Sequence, residues 1–178
     1  MKVKESQSAS NLDSSDDEQG EFDMSPLKVS WLDLSSLGCD EPVGICALPG
    51  CRFKDIWRSL ENDIKHLVSE GVMEVFCLCS KGELNKYRVP KLIGELQEND
   101  ITLYIIHLSL MDCCYGGLGR SSFLAAALMM KLDSSLEADK AIEIMRELRG
   151  PAAVQSVKQY NCLHDLRQQI ADHEAKMD

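Results

Sequence analysis

The sequence predicts an α/β fold in which a mostly parallel central sheet is flanked by helices. Strand-like and helix-like segments alternate along the chain, the order typical of parallel sheets. Two dense apolar runs, 72–79 and 101–111, are predicted to be buried strands, because strands covered on both faces are apolar throughout. The second run leads through a glycine-rich stretch into 121–132, an alanine- and leucine-rich segment of helical composition.

The remaining N-terminal elements follow from apolar spacing and turn residues. Residues 28–34 and 43–48 are predicted strands, and the second ends at a Pro-Gly turn. Apolar residues at helical spacing predict a helix over 55–70. Residues 81–83 are predicted to form a turn, and 91–98 a short helix.

Two helices are predicted at the C-terminal end. The first is capped by Ser134 or Ser135 and ends at a Gly-Pro pair. The second spans 154–173. The apolar residues expected to face inward are Ala138, Ala141, Ile142, Met145 and Leu148 on the first helix and Val157, Leu166 and Ile170 on the second.

Composition limits the class of protein. A chain of 178 residues with 44% apolar residues is sufficient for one domain with its own core. We identify no signal peptide, and the apolar run 101–111 is too short to span a bilayer. We therefore expect a soluble protein without membrane association, located in the cytoplasm and also at or in the nucleus. In that compartment the eight cysteines are expected to be thiols.

Charge is concentrated at the N-terminus. The net charge of −10 argues against nucleic acid as a partner. Residues 1–25 carry seven acidic and two basic residues and many serines, which predicts a disordered acidic tail. Ser14 and Ser15 precede an acidic run, so phosphorylation by an acid-directed kinase is an alternative to a purely solvating role. The folded domain is expected over 26–173, with a short tail over 174–178.

No metal or cofactor is predicted. The cysteines lack the paired C-x-x-C spacing of zinc sites, and only Cys162 and His164 lie close together elsewhere.

The stretch Cys114–Ser121 carries the functional prediction. Its three glycines allow several backbone N–H groups to turn inward around an anion, and a helix N-terminus follows. Arg120 offers a planar fork for two phosphate oxygens. A structural glycine turn is the alternative. The residues predicted to bind phosphate are Tyr115, Gly116, Gly117, Leu118, Gly119 and Arg120.

The same stretch predicts covalent catalysis. The Cys114 thiolate would attack phosphorus and release the substrate alcohol or phenol, and water would then hydrolyse the phosphocysteine intermediate. Loop N–H groups and Arg120 would hold the phosphate oxygens through both steps. Ser121 would donate a hydrogen bond to the departing sulfur.

Four stretches together resemble a known family. Residues 114–121 resemble the signature loop of the cysteine-dependent dual-specificity protein phosphatases. Residues 45–51, 81–90 and 154–161 resemble the cyclin-dependent kinase-associated phosphatases within that group. The resemblance implies the dual-specificity phosphatase fold over 26–173. It also implies Cys114 as the nucleophile, Arg120 as the phosphate clamp and Ser121 as the assisting hydroxyl.

The resemblance implies a substrate as well. The family removes phosphate from a threonine in the activation segment of a cyclin-dependent kinase, so the phosphorylated kinase is the expected partner of a monomeric enzyme. The alternative is an impaired or inactive variant that binds the kinase or phosphate without efficient turnover.

The segment before the loop departs from the family pattern. Only thirteen residues separate Asp100 from Cys114, and none forms the Asp-Gly-Pro loop that supplies the family's general acid. A helix and a strand are therefore missing, as expected for a shortened isoform. Asp112 and His107 are weaker candidates for the acid, with an exposed strand-end carboxylate and a packed core histidine as the alternatives.

Cysteines near the loop raise a redox question. Cys113 stands where the family has histidine. Cys79 is expected beside the loop, where it either forms a protective disulfide with Cys114 or is a buried small apolar residue.

Overall fold

The structure is a computed structural model, and it describes residues 21–106 and 116–176. The strands are β1 (Ser30–Leu32), β2 (Val43–Ile45), β3 (Arg52–Phe53), β4 (Ile56–Trp57), β5 (Glu74–Cys77) and β6 (Thr102–Ile105). The α-helices are α1 (Leu60–Ser69), α2 (Lys81–Lys86), α3 (Leu92–Glu98), α4 (Arg120–Leu132), α5 (Ala138–Arg149) and α6 (Val157–Glu174), and a 3₁₀ turn covers Ser35–Leu37.

The strands pair two by two in the described part of the chain. β5 and β6 are parallel, in a register that runs from Glu74 opposite Thr102 to Cys77 opposite Ile105. β1 with β2 and β3 with β4 are antiparallel. The sequence predicts a mostly parallel sheet. Within residues 21–106 and 116–176, β5–β6 is the strand pair that is parallel.

The prediction of a helix over 55–70 is wrong at its start. The chain first makes a hairpin of β3 and β4, with Lys54 in the left-handed region at φ 54°. α1 begins at Leu60 because Ser59 caps it, its side chain accepting a hydrogen bond from the Asn62 N–H at 3.4 Å. The apolar spacing is real from Leu60 onward, where Ile64 and Leu67 are buried.

The turn predicted over 81–83 is a helix. α2 begins after Ser80, which forms a capping box with Glu83: the Ser80 side chain accepts from the Glu83 N–H, and the Glu83 carboxylate accepts from the Ser80 N–H. Gly82 favours a turn, but the Ser-x-x-Glu pattern of Ser80 and Glu83 around it is the stronger signal and favours a helix start. Leu84 and the neighbouring Tyr87 are then fully buried.

Both predicted C-terminal helices are present, but the N-terminal cap of the first, the start of the second and one of the residues predicted to face inward differ from the prediction. The predicted cap of α5 at Ser134 or Ser135 is wrong: the N-cap residue is Glu137, whose side chain makes no capping hydrogen bond, and Ser135 instead donates to the Asp133 carboxylate. α6 begins after Ser156, which forms a second capping box with Gln159. The prediction that Val157 faces inward is wrong, since it is 76% exposed in the first turn of α6. Leu163 is the fully buried residue of this helix.

Two apolar clusters form the core. One joins α4, α5 and α6 to β1 and β2, and its fully buried members include Leu34, Ile142, Met145 and Leu163. The other joins α1, α2 and α3 to β5 and β6, and its fully buried members include Leu27, Ile64, Leu84, Tyr87, Leu92 and Leu96. The N-terminus of α4 belongs to neither cluster alone, because Arg120 contacts α2 while the rest of the helix packs on α5 and α6.

A buried ion pair holds the N-terminal part of the domain together. Arg58 donates to both carboxylate oxygens of Asp63, and the Asp63 carboxylate also accepts from the Gly50 N–H at 2.8 Å. Arg58 further donates to the Asp23 carboxylate and to the Ser25 carbonyl. Residues at the end of the predicted acidic tail thus contact the domain, although the boundary at residue 25 stays a prediction.

No helix in the described ranges is long and apolar enough to cross a membrane.

Candidate functional site

The signature loop leads directly into α4. Gly116 to Gly119 form a series of bends, and Arg120 is the first residue of the helix. The structure therefore confirms the loop-to-helix part of the predicted order, whereas the connection from the strand to the loop lies outside the described residues. The predicted residues Cys114 and Tyr115, and the residues weighed beside them, His107, Asp112 and Cys113, lie outside the described residues.

Arg120 is buried and is held by a carboxylate. Its side chain is 4% exposed. Nη2 donates to Oε1 of Glu83 at 2.8 Å, and Nη1 donates to Oε2 at 3.2 Å. Nη2 also lies 3.8 Å from Sγ of Cys79. A guanidinium held by two parallel hydrogen bonds has a defined plane, as a clamp for a tetrahedral anion requires.

Glu83 is a residue of the site, but the sequence did not identify it, because residues 81–83 were predicted to form a turn. The α2 capping box places its carboxylate, which accepts from the Ser80 N–H at 2.7 Å and at the same time faces Arg120. One side chain thus both starts α2 and orients the predicted phosphate clamp. The Ser-x-x-Glu pattern at 80–83 is the signal that would have found the helix, but nothing local to it indicates the contact with Arg120.

The loop lies against the end of β2. Gly117 has φ 68°, and a Cβ built on it would lie 2.3 Å from the Cys46 carbonyl oxygen and 3.0 Å from Nη2 of Arg149. Arg149 donates from Nη2 to the Gly116 carbonyl at 3.1 Å. Only glycine fits at position 117, both for its backbone conformation and for the space beside it.

Two glutamines lie close to Gly119. A Cβ on Gly119 would be 3.1 Å from Nε2 of Gln159 and 3.3 Å from Oε1 of Gln155. Gln159 is 3% exposed and is fixed by its capping box with Ser156. The backbone also ties these segments, since the Val154 N–H donates to the Leu118 carbonyl at 3.2 Å.

Ser121 lies in the first turn of α4 and is half-buried. Gly116, Gly117, Leu118, Gly119, Arg120 and Ser121 lie together in one loop and helix start, and their role in phosphate binding stays a prediction. The N-terminus of α4 presents backbone N–H groups and the positive end of the helix dipole, both of which favour an anion. The arrangement can hold a phosphate group.

Two thiols lie beside the clamp. Cys77 and Cys79 are both buried. A hydrogen bond between the two thiols lowers the pKa of Cys77 and raises that of Cys79. Cys79 lies in the second core cluster and touches Arg120, so its description as a buried small residue holds; its disulfide with Cys114 stays a prediction.

Two further thiols, Cys46 and Cys51, are held in the protonated form. Burial raises the pKa of each to about 11, although Arg149 opposes the effect at Cys46. These thiols are therefore not nucleophiles near neutral pH. Within 21–106 and 116–176, no three histidine, cysteine or acidic side chains are grouped as a metal site would require.

The chain is similar to curated relatives along its whole length. The family model described as cyclin-dependent kinase inhibitor 3 matches residues 1–112. The proteins of that name from Rattus norvegicus and Homo sapiens are each 38% identical, over 100% of this chain and 96% of their own length. The protein from Mus musculus is 39% identical over the same shares.

The relatives are longer within the aligned region. The alignment with the rat protein runs over 204 positions, whereas the whole of this chain supplies 178 residues, a difference of 26 positions. These comparisons do not assign the difference to one segment, so the missing helix and strand before the signature loop stay a prediction.

A solved structure confirms the fold. The crystal structure of kinase-associated phosphatase with its catalytic-site cysteine replaced by serine superposes with a TM-score of 0.78 at 36% identity, covering 84% of this chain and 98% of that one. The predicted dual-specificity phosphatase fold is thus correct. The chain belongs to the cyclin-dependent kinase inhibitor 3 family, a family of dual-specificity phosphatases associated with cyclin-dependent kinases.

Proposed function

We propose that this chain removes phosphate from the activation-segment threonine of a cyclin-dependent kinase, with Cys114 as the nucleophile. Family membership supports the reaction class. The observation that carries the proposal for this chain is the buried guanidinium of Arg120, held in plane by Glu83 at the N-terminus of α4. A positively charged fork beside a glycine loop and a helix start is suited to a phosphate monoester.

The proposed reaction has two steps. The Cys114 thiolate attacks phosphorus, and the P–O bond to the threonine oxygen breaks. Water then attacks the phosphocysteine and releases inorganic phosphate, with Ser121 assisting the departure of sulfur. Arg120 and the loop N–H groups bind the equatorial oxygens in both transition states.

The departure of the first leaving group is the most demanding part of the proposed reaction. A threonine alkoxide needs a proton from a general acid, and positioned acids contribute about 10²- to 10⁴-fold. The predicted loss of the acid loop therefore lowers turnover on phosphothreonine by a factor of that order. An aryl substrate with a stable leaving group avoids most of this loss.

Hydrolysis of p-nitrophenyl phosphate tests the enzyme activity. We expect slow release of p-nitrophenol by the wild-type chain and its loss in Cys114→Ser and Arg120→Ala. The substitution Arg146→Met on exposed α5 surface is the matched control and should leave the rate unchanged. A wild-type rate no greater than that of Cys114→Ser would contradict the proposal.

A second candidate function is kinase binding without efficient turnover. The predicted absence of the general-acid loop before Cys114 favours it, because a family member without the acid keeps a phosphate site but loses rate. Immobilised wild-type chain should then retain phosphorylated cyclin-dependent kinase, and Arg120→Ala should retain less. Equal retention of phosphorylated and unphosphorylated kinase would show that the phosphate site does not take part.

A further inference from the structure

The guanidinium of Arg149 occupies the space between β1 and the signature loop. Nη1 donates to Oγ of Ser30 at 2.9 Å, and Nη2 donates to the carbonyl of Gly116 at 3.1 Å. Arg149 is the last residue of α5, whose buried residues Ile142 and Met145 anchor it in the core next to β1. One side chain therefore connects the first strand with the beginning of the loop.

The direction of the Gly116 carbonyl makes this contact relevant to anion binding. In a loop whose N–H groups turn inward toward an anion, the carbonyl groups turn away from it and need donors of their own. Arg149 supplies such a donor to Gly116. Losing the donor would leave the peptide group free to rotate, and its rotation would turn a carbonyl oxygen toward the bound anion.

The end of β2 also lies against the loop. Ser30 pairs with Ile45 in the β1–β2 ladder, and the next residue, Cys46, presents its carbonyl oxygen to Gly117. The end of β2 and the Arg149 side chain therefore both lie against Gly117. Because Ser30 belongs to the same ladder, Arg149 and Cys46 both hold the loop against one pair of strands.

The charge of Arg149 is also available to an anion. Within 21–106 and 116–176, Arg149 forms no ion pair, in contrast to Arg120 with Glu83 and Arg58 with Asp63. Its field reaches the interior, since it lowers the pKa of the neighbouring Cys46 thiol against the larger effect of burial. A guanidinium in this place adds positive potential next to the loop.

We propose that Arg149 is a positioning residue of the phosphate site, which bridges Ser30 and the Gly116 carbonyl to hold the loop in its anion-binding form and adds positive charge beside it. The inference rests on the proposed function, because the anion it serves is the phosphate bound there. A lysine can supply the charge and one of the two hydrogen bonds, but it cannot bridge both acceptors with a planar fork.

The test uses the full chain and tungstate, a tetrahedral anion, with binding measured by calorimetry. Arg149→Lys should weaken tungstate binding about tenfold, the loss expected for one charge-assisted hydrogen bond. Arg149→Met should weaken it further, since charge is lost as well. Arg146 lies one turn earlier on the same helix and is exposed, so Arg146→Lys and Arg146→Met control for helix composition and net charge.

Amide hydrogen exchange of the peptide covering 116–121 provides a second readout that needs no anion. We expect faster exchange there in both Arg149 variants, with exchange in the second half of α4 unchanged. Exchange and tungstate affinity equal to wild type would overturn the proposal. So would a loss in Arg149→Met no larger than in Arg146→Met, which would show only a net-charge effect.

Two further outcomes are also decisive. If the Arg149 variants do not fold, Ser30→Ala removes one anchor alone and should show smaller changes of the same sign; wild-type behaviour would overturn the proposal. If the wild-type chain does not bind tungstate, the proposed function fails. Hydrogen exchange then still decides whether Arg149 holds the loop.

Discussion

The carboxylate of Glu83 and the guanidinium of Arg120 form a two-point ion pair, at 2.8 Å between Oε1 and Nη2 and 3.2 Å between Oε2 and Nη1. The side chain of Arg120 is 4% exposed and that of Glu83 is 19% exposed. The pair joins α2 to the first residue of α4 and so connects the two halves of the core. It is the contact on which the geometry of the candidate clamp depends.

Removal of the Glu83 carboxylate should destabilise the fold and disturb the clamp together. Glu83→Ala breaks the pair, leaves a buried guanidinium without its carboxylate and removes half of the α2 capping box, at a cost of about 3–5 kcal/mol. Glu83→Gln should cost less, because glutamine also serves at this position of a capping box. Urea unfolding measures both changes.

The exposed pair of Lys140 and Glu143 is the matched control for Glu83. Glu143→Ala also removes a carboxylate from its cationic partner, Lys140. Because this pair is exposed to solvent, the unfolding midpoint should stay close to wild type. An effect of Glu83→Ala no larger than that of Glu143→Ala would show that the buried pair contributes little.

Replacement of Gly117 by alanine should deform the loop. The φ of 68° and the Cys46 carbonyl at 2.3 Å from the new Cβ predict a loss of roughly 2–3 kcal/mol of unfolding free energy, with weaker tungstate binding. Gly116→Ala is the control for stability, since among residues 21–106 and 116–176 its Cβ would meet only Leu118 atoms, at 3.9 Å. Equal unfolding free energies for the two variants would contradict the described loop conformation.

Alkaline pH should weaken the fold through Cys46 and Cys51. Burial raises the pKa of both thiols from 9.0 to about 11. Their stabilising contribution is thus fully present below pH 9, where both states are protonated, and is lost as pH rises toward 11 and the unfolded chain ionises first. The loss is on the order of 2 kcal/mol per thiol.

The thiol contribution can be separated from other alkaline effects by substitution. Unfolding by urea at pH 8 and pH 10.5 should show a smaller pH-dependent loss in the double variant Cys46→Ala, Cys51→Ala than in wild type. Cys39→Ala, which replaces a half-buried thiol of the other cluster, should keep the wild-type slope. A double variant with the wild-type slope would rule out this origin.

The sequence predicted the loop and its helix because both are local signals. Residues 116–132 contain three glycines, an arginine and an alanine- and leucine-rich segment, and each of these signals depends only on neighbouring residues. The structure has the loop and the helix where they were expected. The start of α1 and the existence of α2 were also within reach, since Ser59 and the Ser80–Glu83 capping box are sequence-level signals that outweigh apolar spacing and a lone glycine.

The rest of the site depends on contacts between distant parts of the chain. Glu83 lies 37 residues from Arg120, and Ser30 lies 119 residues from Arg149. No periodicity or spacing predicts such pairs, because they form only when α2 and α5 are brought next to the loop by the tertiary fold. The exposure of Val157 has a local origin instead: Val157 is the first residue of α6, directly after the Ser156 cap, and the helix buries Gln159 and Leu163.

Release of inorganic phosphate from a cyclin-dependent kinase phosphorylated on its activation-segment threonine tests the central claim most directly. The wild-type chain should release phosphate in proportion to its concentration, slowly because its general-acid loop is predicted to be missing, whereas Cys114→Ser and Arg120→Ala should release none above the uncatalysed rate. Phosphate release by Cys114→Ser equal to that of wild type would contradict the assignment of this chain as a cysteine-dependent phosphatase.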